Sequence, residues 1–181
     1  MHPSPIIRDA NPNDVGQIVK LERLAFSQPW SAEAFAHELS LPFSRTIVAT
    51  TASDLDPGRT SVRLTSWGGS VGERNPVTGV GESLIGFLCR WLVADECHIL
   101  NIAVHPEARR EGIGTLLMGE AIAEAIAKKT AIITLEVRRS NIAARGLYRN
   151  LRFEERRVRK NYYSPGEDAI VMERRLSASA Y

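Results

Sequence analysis

Two stretches of this sequence hold side chains whose types and spacing could do chemistry. The first is Arg109-Arg110-Glu111-Gly112-Ile113-Gly114-Thr115. It joins an apolar run ending at Val104 to a strongly helical stretch over 115–129. Backbone N–H groups at a helix start have no intrahelical partner, and the helix dipole adds partial positive charge there, so such a turn can bind phosphate. Gly112 and Gly114 let the backbone approach an anion with no Cβ in the way, and Arg109 and Arg110 can add charge. The plainer reading is an ordinary turn with a solvated basic pair. Two nucleotide-binding patterns fail here: Leu117 stands where a dinucleotide fingerprint needs its third glycine, and Gly-Lys-Ser/Thr is absent. The second stretch centres on Glu136, which interrupts the apolar run 132–137. Strand alternation sets it on the face opposite Leu135 and Val137. A carboxylate partly withdrawn from water holds a proton more readily, as a general base at neutral pH must. A surface glutamate paired with Arg138 fits the same pattern, and the residues alone leave both readings open.

Other reactive side chains read more simply. Cys97 and His98 are adjacent on a strand and so point to opposite faces, which argues against a thiol–imidazole pair. Cys89 and Cys97 are too few for a disulfide scaffold and read as buried, reduced thiols. The four histidines show no metal-ligand spacing, and no metal is expected.

The surrounding elements must position these groups. Residues 6–9 read as a short strand. Asn11-Pro12-Asn13-Asp14 starts a helix whose stripe is Val15, Ile18, Val19, Glu22 and Phe26. Ser31 caps a second helix through Phe35 to residue 39, with Glu33 in its first turn. Strands are expected over 45–51, 84–92 and 97–104, the last two forming a hairpin through Val93-Ala94-Asp95-Glu96. The helix over 115–129 buries Leu117, Met118, Ala121, Ile122 and Ala125, with Lys128 and Lys129 at its C-terminal end. A strand over 132–138 follows, then a helix capped by Asn141 and running through 151. Strands over 153–159 and 169–174, joined by a loop over 161–168, close a mixed α/β order around a largely antiparallel sheet. Residues 52–83 are rich in Gly, Ser, Thr, Pro and Asp and read as a long connection or hairpin extension.

With 181 residues, 44% of them hydrophobic and 24% charged, the chain is expected to form one ordered domain over 1–181. The longest apolar run, 84–89, falls far short of the roughly twenty residues of a membrane span. The first five residues carry neither the basic nor the apolar part of an export signal, so a cytoplasmic protein without a membrane partner is expected. A net charge of +2 hides an uneven split: residues 1–100 hold 8 Lys/Arg against 11 Asp/Glu, and residues 101–181 hold 15 against 10. A basic second half suits nucleic acid or a phosphorylated cofactor, and charge alone does not choose.

A resemblance runs across nearly the whole chain. Asn101-Ile102-Ala103-Val104-His105-Pro106, followed by Arg109-x-x-Gly112-x-Gly114, resembles motif A of the GCN5-related N-acetyltransferases, which bind acetyl-coenzyme A. Leu135-Glu136-Val137-Arg138-x-Ser140-Asn141, then Leu147-Tyr148 and Phe153, resembles motif B. Pro29-Trp30-Ser31 with Phe35, Arg159-Lys160-Asn161-Tyr162-Tyr163 and Glu167-Asp168-Ala169-Ile170 are similar to the RimI type, whose members acetylate the N-terminal alanine of a ribosomal protein.

The resemblance implies a GNAT fold: an α/β (α+β) arrangement with a mixed, largely antiparallel sheet of about six or seven strands and about four helices. It implies that the pantetheine of acetyl-CoA lies beside Ile102, Ala103 and Val104, that its pyrophosphate sits on the turn from Arg110 through Glu111, Gly112, Ile113 and Gly114 to Thr115, and that Asn141 contacts it. Arg109 stands ready to add charge. Glu136 would be the proton acceptor and Tyr148 the donor to the departing sulfur. Trp30 and Phe35 would border the acceptor groove, with core packing as their plainer role, and Tyr162 and Tyr163 would lie in a loop closing over the N-terminal peptide of a ribosomal protein. Asp95, Glu96, Glu33 and Glu38 are candidate acidic contacts for a basic tail, and the Arg/Lys run at 156–160 reads as a solvated strand edge. A monomer is assumed, with no direct nucleic-acid contact. A small amine or antibiotic acceptor is the alternative, since the 52–83 insertion departs from the compact RimI type, and a basic nucleic-acid-binding module is a third reading. Arg152 stands where the family has a glycine, and Gly146 sits inside the Tyr148 helix.

Overall fold

The computed structural model describes residues 5–51 and 83–176. β1 (Ile6–Asp9) leads through a 3₁₀ turn into α1 (Val15–Ala25), and α2 (Ala32–Ser40) follows. Next come β2 (Ser44–Thr51), β3 (Ser83–Val93), β4 (Glu96–Val104) and α3 (Ile113–Ala127). The chain closes with β5 (Ile132–Arg138), α4 (Ile142–Asn150), β6 (Glu154–Tyr163) and β7 (Glu167–Arg175). The helix starts follow from local chemistry. The Asn11 side chain accepts from the Asn13 amide while Asp14 accepts from the Asn11 amide, and Ser31 accepts from the Ala34 amide at 3.2 Å.

The strands form one seven-stranded sheet in the order β1-β2-β3-β4-β5-β7-β6. All neighbours are antiparallel except β4 and β5, which matches the expected mixed, largely antiparallel sheet. One face packs Ile133, Leu135 and Val137 of β5 against the α3 stripe and Tyr148 of α4. The other packs Phe87 and Ala103 against Ile18, Leu21 and Phe35 from α1 and α2. The expected α3 stripe is buried as a unit, with Ile113 added at its start. Close approach of α3 depends on Gly86 of β3. A Cβ there would stand 3.1 Å from side-chain atoms of both Ile113 and Leu117, and 3.2 Å from the Ala103 carbonyl oxygen. At the far end of α3, Glu124 forms ion pairs with the fully buried Arg90 and with Arg45, which also holds Asp9 at 2.6 Å.

Two irregularities in β4 set its path through the sheet. Pairing with β3 passes from Arg90↔Ile99 to Cys89↔Asn101, so Leu100 is an extra residue, and such a bulge re-aims the strand. Ahead of it Cys97 and Ile99 face the α3 side. Beyond it Ile102 and Val104 face that side, while Asn101 and Ala103 turn toward α1 and α2. Pairing with β5 also stops early, running only from Glu96↔Ile132 to Ile99↔Leu135. Residues 100–104 and 136–138 therefore have no ladder between them, and the sheet opens at this point.

Several expectations are corrected. Phe26 lies beyond α1 in extended backbone, 37% exposed. Helix α3 begins at Ile113 and ends before Lys128 and Lys129, the latter left-handed at φ 58°. Strand β6 continues through Tyr162 and Tyr163, past a register shift between Arg159 and Tyr163 where Asn161 has φ 52°. The expected loop 161–168 thus shrinks to 164–166. The expected long connection over 52–83 lies outside the described residues apart from Ser83, which pairs with Thr51.

Candidate functional site

The turn ahead of α3 adopts the conformation an anion site needs. Arg110 has φ 70° and Gly112 φ 85°, and the left-handed Gly112 directly before the helical Ile113 turns their successive amides to one side. The first bond of the helix runs from the Leu116 N–H to the Gly112 carbonyl at 3.0 Å, so the amides of Ile113, Gly114 and Thr115 precede it and have no intrahelical acceptor. Arg109 donates from Nε to the Val104 carbonyl at 3.3 Å, which places its guanidinium at the end of β4. The His105 N–H donates to the Ile85 carbonyl. Strand alternation then turns the peptide groups of Val104 and Ile102 away from β3 and into the opening.

Glu136 stands across that opening on β5, its side chain 31% exposed. Its partner is not Arg138. Oε1 accepts from Arg159 Nη1 at 2.8 Å. The β6–β7–β5 register sets Arg159 in line with Ala169 and Arg138, and Arg157 in line with Val171 and Glu136, so the long Arg159 side chain reaches diagonally, by two residues, along the shared face. Arg138 instead pairs with Glu167 at 3.0 Å and lies 4.3 Å from the centroid of the Tyr163 ring. Glu167 also accepts from the Ser140 amide, tying the β6–β7 turn to the segment that caps α4. Arg159 stacks 4.2 Å from the Tyr162 centroid, and the two tyrosine rings meet edge to face at 4.9 Å. Arg159 is thus more than the solvated edge residue its sequence context suggested. Burial pushes the Tyr163 hydroxyl up to about 12, helped by Tyr162 and Glu136 and opposed by Arg138.

Tyr148 lies on α4 at 5% exposure, packed at 6.0 Å against Phe153. Burial raises its pKa first, and the neighbouring Tyr163 adds to it. Tyr148 packs in the α3-side cluster with Leu135 and Val137, the face of β5 opposite the Glu136 side chain. Asn141 caps α4, accepting from the Ala144 amide at 3.0 Å. The helix ends in a Schellman arrangement: Phe153 N–H to Tyr148 C=O at 3.0 Å and Arg152 N–H to Arg149 C=O at 2.9 Å. Arg152 itself takes the left-handed conformation, φ 64°.

On the α1–α2 side, Phe35 is only 1% exposed and meets Phe87 at 5.4 Å. It is a core residue and gives no direct surface to an acceptor. Trp30 is half-buried against it, ring centroids 5.3 Å apart. Beneath Trp30 lies Glu22, which accepts from the Trp30 amide at 3.1 Å and from Asn101 Nδ2 at 3.0 Å. Its place in the α1 stripe is visible in the sequence, but its partners are not. Of the four suggested acidic contacts, Glu33 stays exposed in the first turn of α2. Glu38 is buried, accepting from Ser44 Oγ and Trp91 Nε1, and Asp95 and Glu96 sit at the end of β4 opposite the opening.

Among the described residues no group of three or more His, Cys, Asp and Glu could hold a metal, and no helix is long and apolar enough to cross a membrane. The sequence pattern of the Acetyltransferase (GNAT) family matches residues 17–153. The ribosomal protein bS18-alanine N-acetyltransferase of Salmonella typhimurium is 38% identical over 109 residues, covering 58% of this chain and 74% of that protein. The N-alpha-acetyltransferase of Sulfurisphaera tokodaii is 32% identical over 168 residues, 92% of this chain and 90% of that one. The crystal structure of the ribosomal-protein-S18-alanine N-acetyltransferase from Escherichia coli superposes with a TM-score of 0.73 at 28% identity, covering 98% of this chain and 99% of that one.

Proposed function

This chain belongs to the GNAT acetyltransferase family and, within it, to the bS18-alanine N-acetyltransferase (RimI) type, and from that premise we propose that it acetylates the α-amine of an N-terminal alanine, that of ribosomal protein bS18, in the cytoplasm. The observation that carries the reading is the parting of β4 and β5, with Glu136 on one bank and the amide-rich turn at the end of the other. The residues present fit acetyl-CoA. The turn from Arg110 to Thr115 offers amides and a helix N-terminus to a pyrophosphate, and the outward peptide groups of Ile102 and Val104 offer an edge for amide pairing.

Acetyl-CoA supplies a thioester carbonyl for direct attack by the amine. The new N–C bond forms as the C–S bond breaks, and Glu136 takes the amine's proton, directly or through water. The Val104 region's backbone N–H steadies negative charge on the carbonyl oxygen. No cysteine nucleophile is at hand, since Cys97 is buried with its thiol pushed up to about 11 and Cys89 is buried and raised as well. Tyr148 holds its proton more tightly than a thiol of pKa about 8.5. Its contribution is therefore a hydrogen bond donated to the sulfur as charge builds there, rather than a completed proton transfer.

Acid–base chemistry favours an α-amine over a lysine. With pKa values of about 7.7–8.0 and about 10.4, their neutral fractions at pH 7 differ by roughly several hundredfold. The test is coenzyme A release from acetyl-CoA with a peptide beginning Ala-Arg, its N-terminally blocked form and a panel of small amines, comparing native protein with Glu136→Gln. Turnover of the unblocked peptide alone is expected, reduced at least about a hundredfold in the variant. Turnover of small amines alone would discard the peptide acceptor.

A further inference from the structure

Three acidic side chains are buried in the described structure, Asp14, Glu22 and Glu38. Asp14 pairs with Arg8, and Glu38 accepts from a hydroxyl and an indole. Glu22 has no cation among the described residues. At 1% exposure its Oε1 takes both donated bonds, from the Trp30 amide and from Asn101 Nδ2, and its Oε2 is buried with no hydrogen-bond partner. Burial outweighs those two bonds and raises its pKa. An apolar side chain would fill this position in the α1 stripe at lower cost, so the carboxylate's value lies in what it joins.

It joins the segment that starts α2 to the first residue of β4 beyond the Leu100 bulge, where β4 has lost β5 as its neighbour. Asn101 faces the α1–α2 side, as does Glu136 across the opening, because Leu135 and Val137 face α3. The Trp30 ring lies tilted against Phe35, at 44° between planes, and packs against the cluster that contains Ala103. We infer that Glu22 is a positioning residue for the acceptor: through Oε1 it fixes the Trp30 segment against β4 beside the opening, and so sets where the acceptor's terminal residue meets Glu136. The inference rests on the acyl-acceptor reading above and adds a residue that never touches the reacting atoms.

The test is steady-state kinetics of native protein, Glu22→Gln, Glu22→Leu and Asn101→Ala, with the acceptor peptide and acetyl-CoA varied separately. Gln keeps an oxygen that can accept both bonds, so its constants should stay within about twofold of native. Leu and Asn101→Ala break the contact from opposite sides. Each should raise the peptide KM about tenfold while the acetyl-CoA KM stays within about twofold. If Glu22→Leu does not fold, Asn101→Ala, which leaves α1 intact, reads the same contact. A lowered kcat with both KM values unchanged would mean a structural role only and would overturn the inference while sparing the proposed function. If native protein acetylates a small amine and not the peptide, the proposed function falls, and the same KM comparison on that amine decides the role of Glu22. Silence of native protein with every amine would overturn both.

Discussion

Replacing Arg152 by glycine should stabilise the protein, although it deletes a large side chain. Arg152 is exposed and occupies the left-handed position that ends α4, φ 64°. That backbone costs an ordinary L-residue about 1–2 kcal/mol, and glycine gives back about 0.5–1 kcal/mol through the greater freedom of its unfolded chain. The bond from the Arg152 N–H to the Arg149 carbonyl, 2.9 Å, survives the change. The net expectation is about 0.5–1 kcal/mol, or about 1–4 °C in Tm for a chain of this length. Arg152→Ala is the control, since it removes the same charge but keeps the Cβ and therefore the strain, and should lie within about 0.5 kcal/mol of native. Urea unfolding of the three proteins gives the comparison. A glycine variant no more stable than the alanine one would refute the assignment of strain to this turn. Because the same turn bonds the Tyr148 carbonyl, kcat should be unchanged in the glycine variant.

Two further outcomes are expected. Gly86→Ala should destabilise by about 1–3 kcal/mol through overpacking and raise the KM for acetyl-CoA by tilting the first turn of α3. Urea unfolding and acetyl-CoA kinetics check this, and a fully stable variant would mean that Ile113 and Leu117 yield the space. Glu22 carries a pH signature of its own. Its folded pKa is raised above 4.5, so just above that pH the folded chain binds more protons than the unfolded one and stability falls as pH rises through the folded value. Glu22→Gln has no proton to lose there. The stability difference between variant and native should therefore grow in the variant's favour from pH 4.5 toward neutrality, and a difference that stays constant would count against a buried, titrating carboxylate.

Local signals make much of this legible. The α3 stripe, the Ser31 and Asn141 caps, and the alternation that turns Glu136 away from Leu135 each depend on neighbours within a few residues, so sequence spacing carries them. The bulge at Leu100 leaves no such trace, because an extra residue in an apolar run changes pairing without changing composition. Partners distant in sequence are equally hidden. Arg159 reaches Glu136 only through the β6–β7–β5 register, and Asn101 lies 79 positions from the Glu22 it binds. Tyr162 and Tyr163 resemble loop residues because a charged, largely exposed edge strand lacks the apolar alternation that marks a half-buried one.

The single extra residue at Leu100 acts as a phase change along β4. Without it, plain alternation from Cys97 and Ile99 would turn Asn101 and Ala103 to the α3 layer and Ile102 and Val104 to the α1–α2 layer. With it, the last four residues divide their duties: side chains of Asn101 and Ala103 belong to the α1–α2 layer, those of Ile102 and Val104 to the α3 layer, and the peptide groups of the latter pair to the opening between strands. In the proposed reaction the amine then meets the α1–α2 side of this short segment and the acyl donor its outward peptide groups. Under that proposal substitutions in α1 and α2 retune the choice of acceptor while the donor's edge stays as it is, and the bulge is what turns the side-chain amide of Asn101, rather than an apolar side chain, toward Glu22.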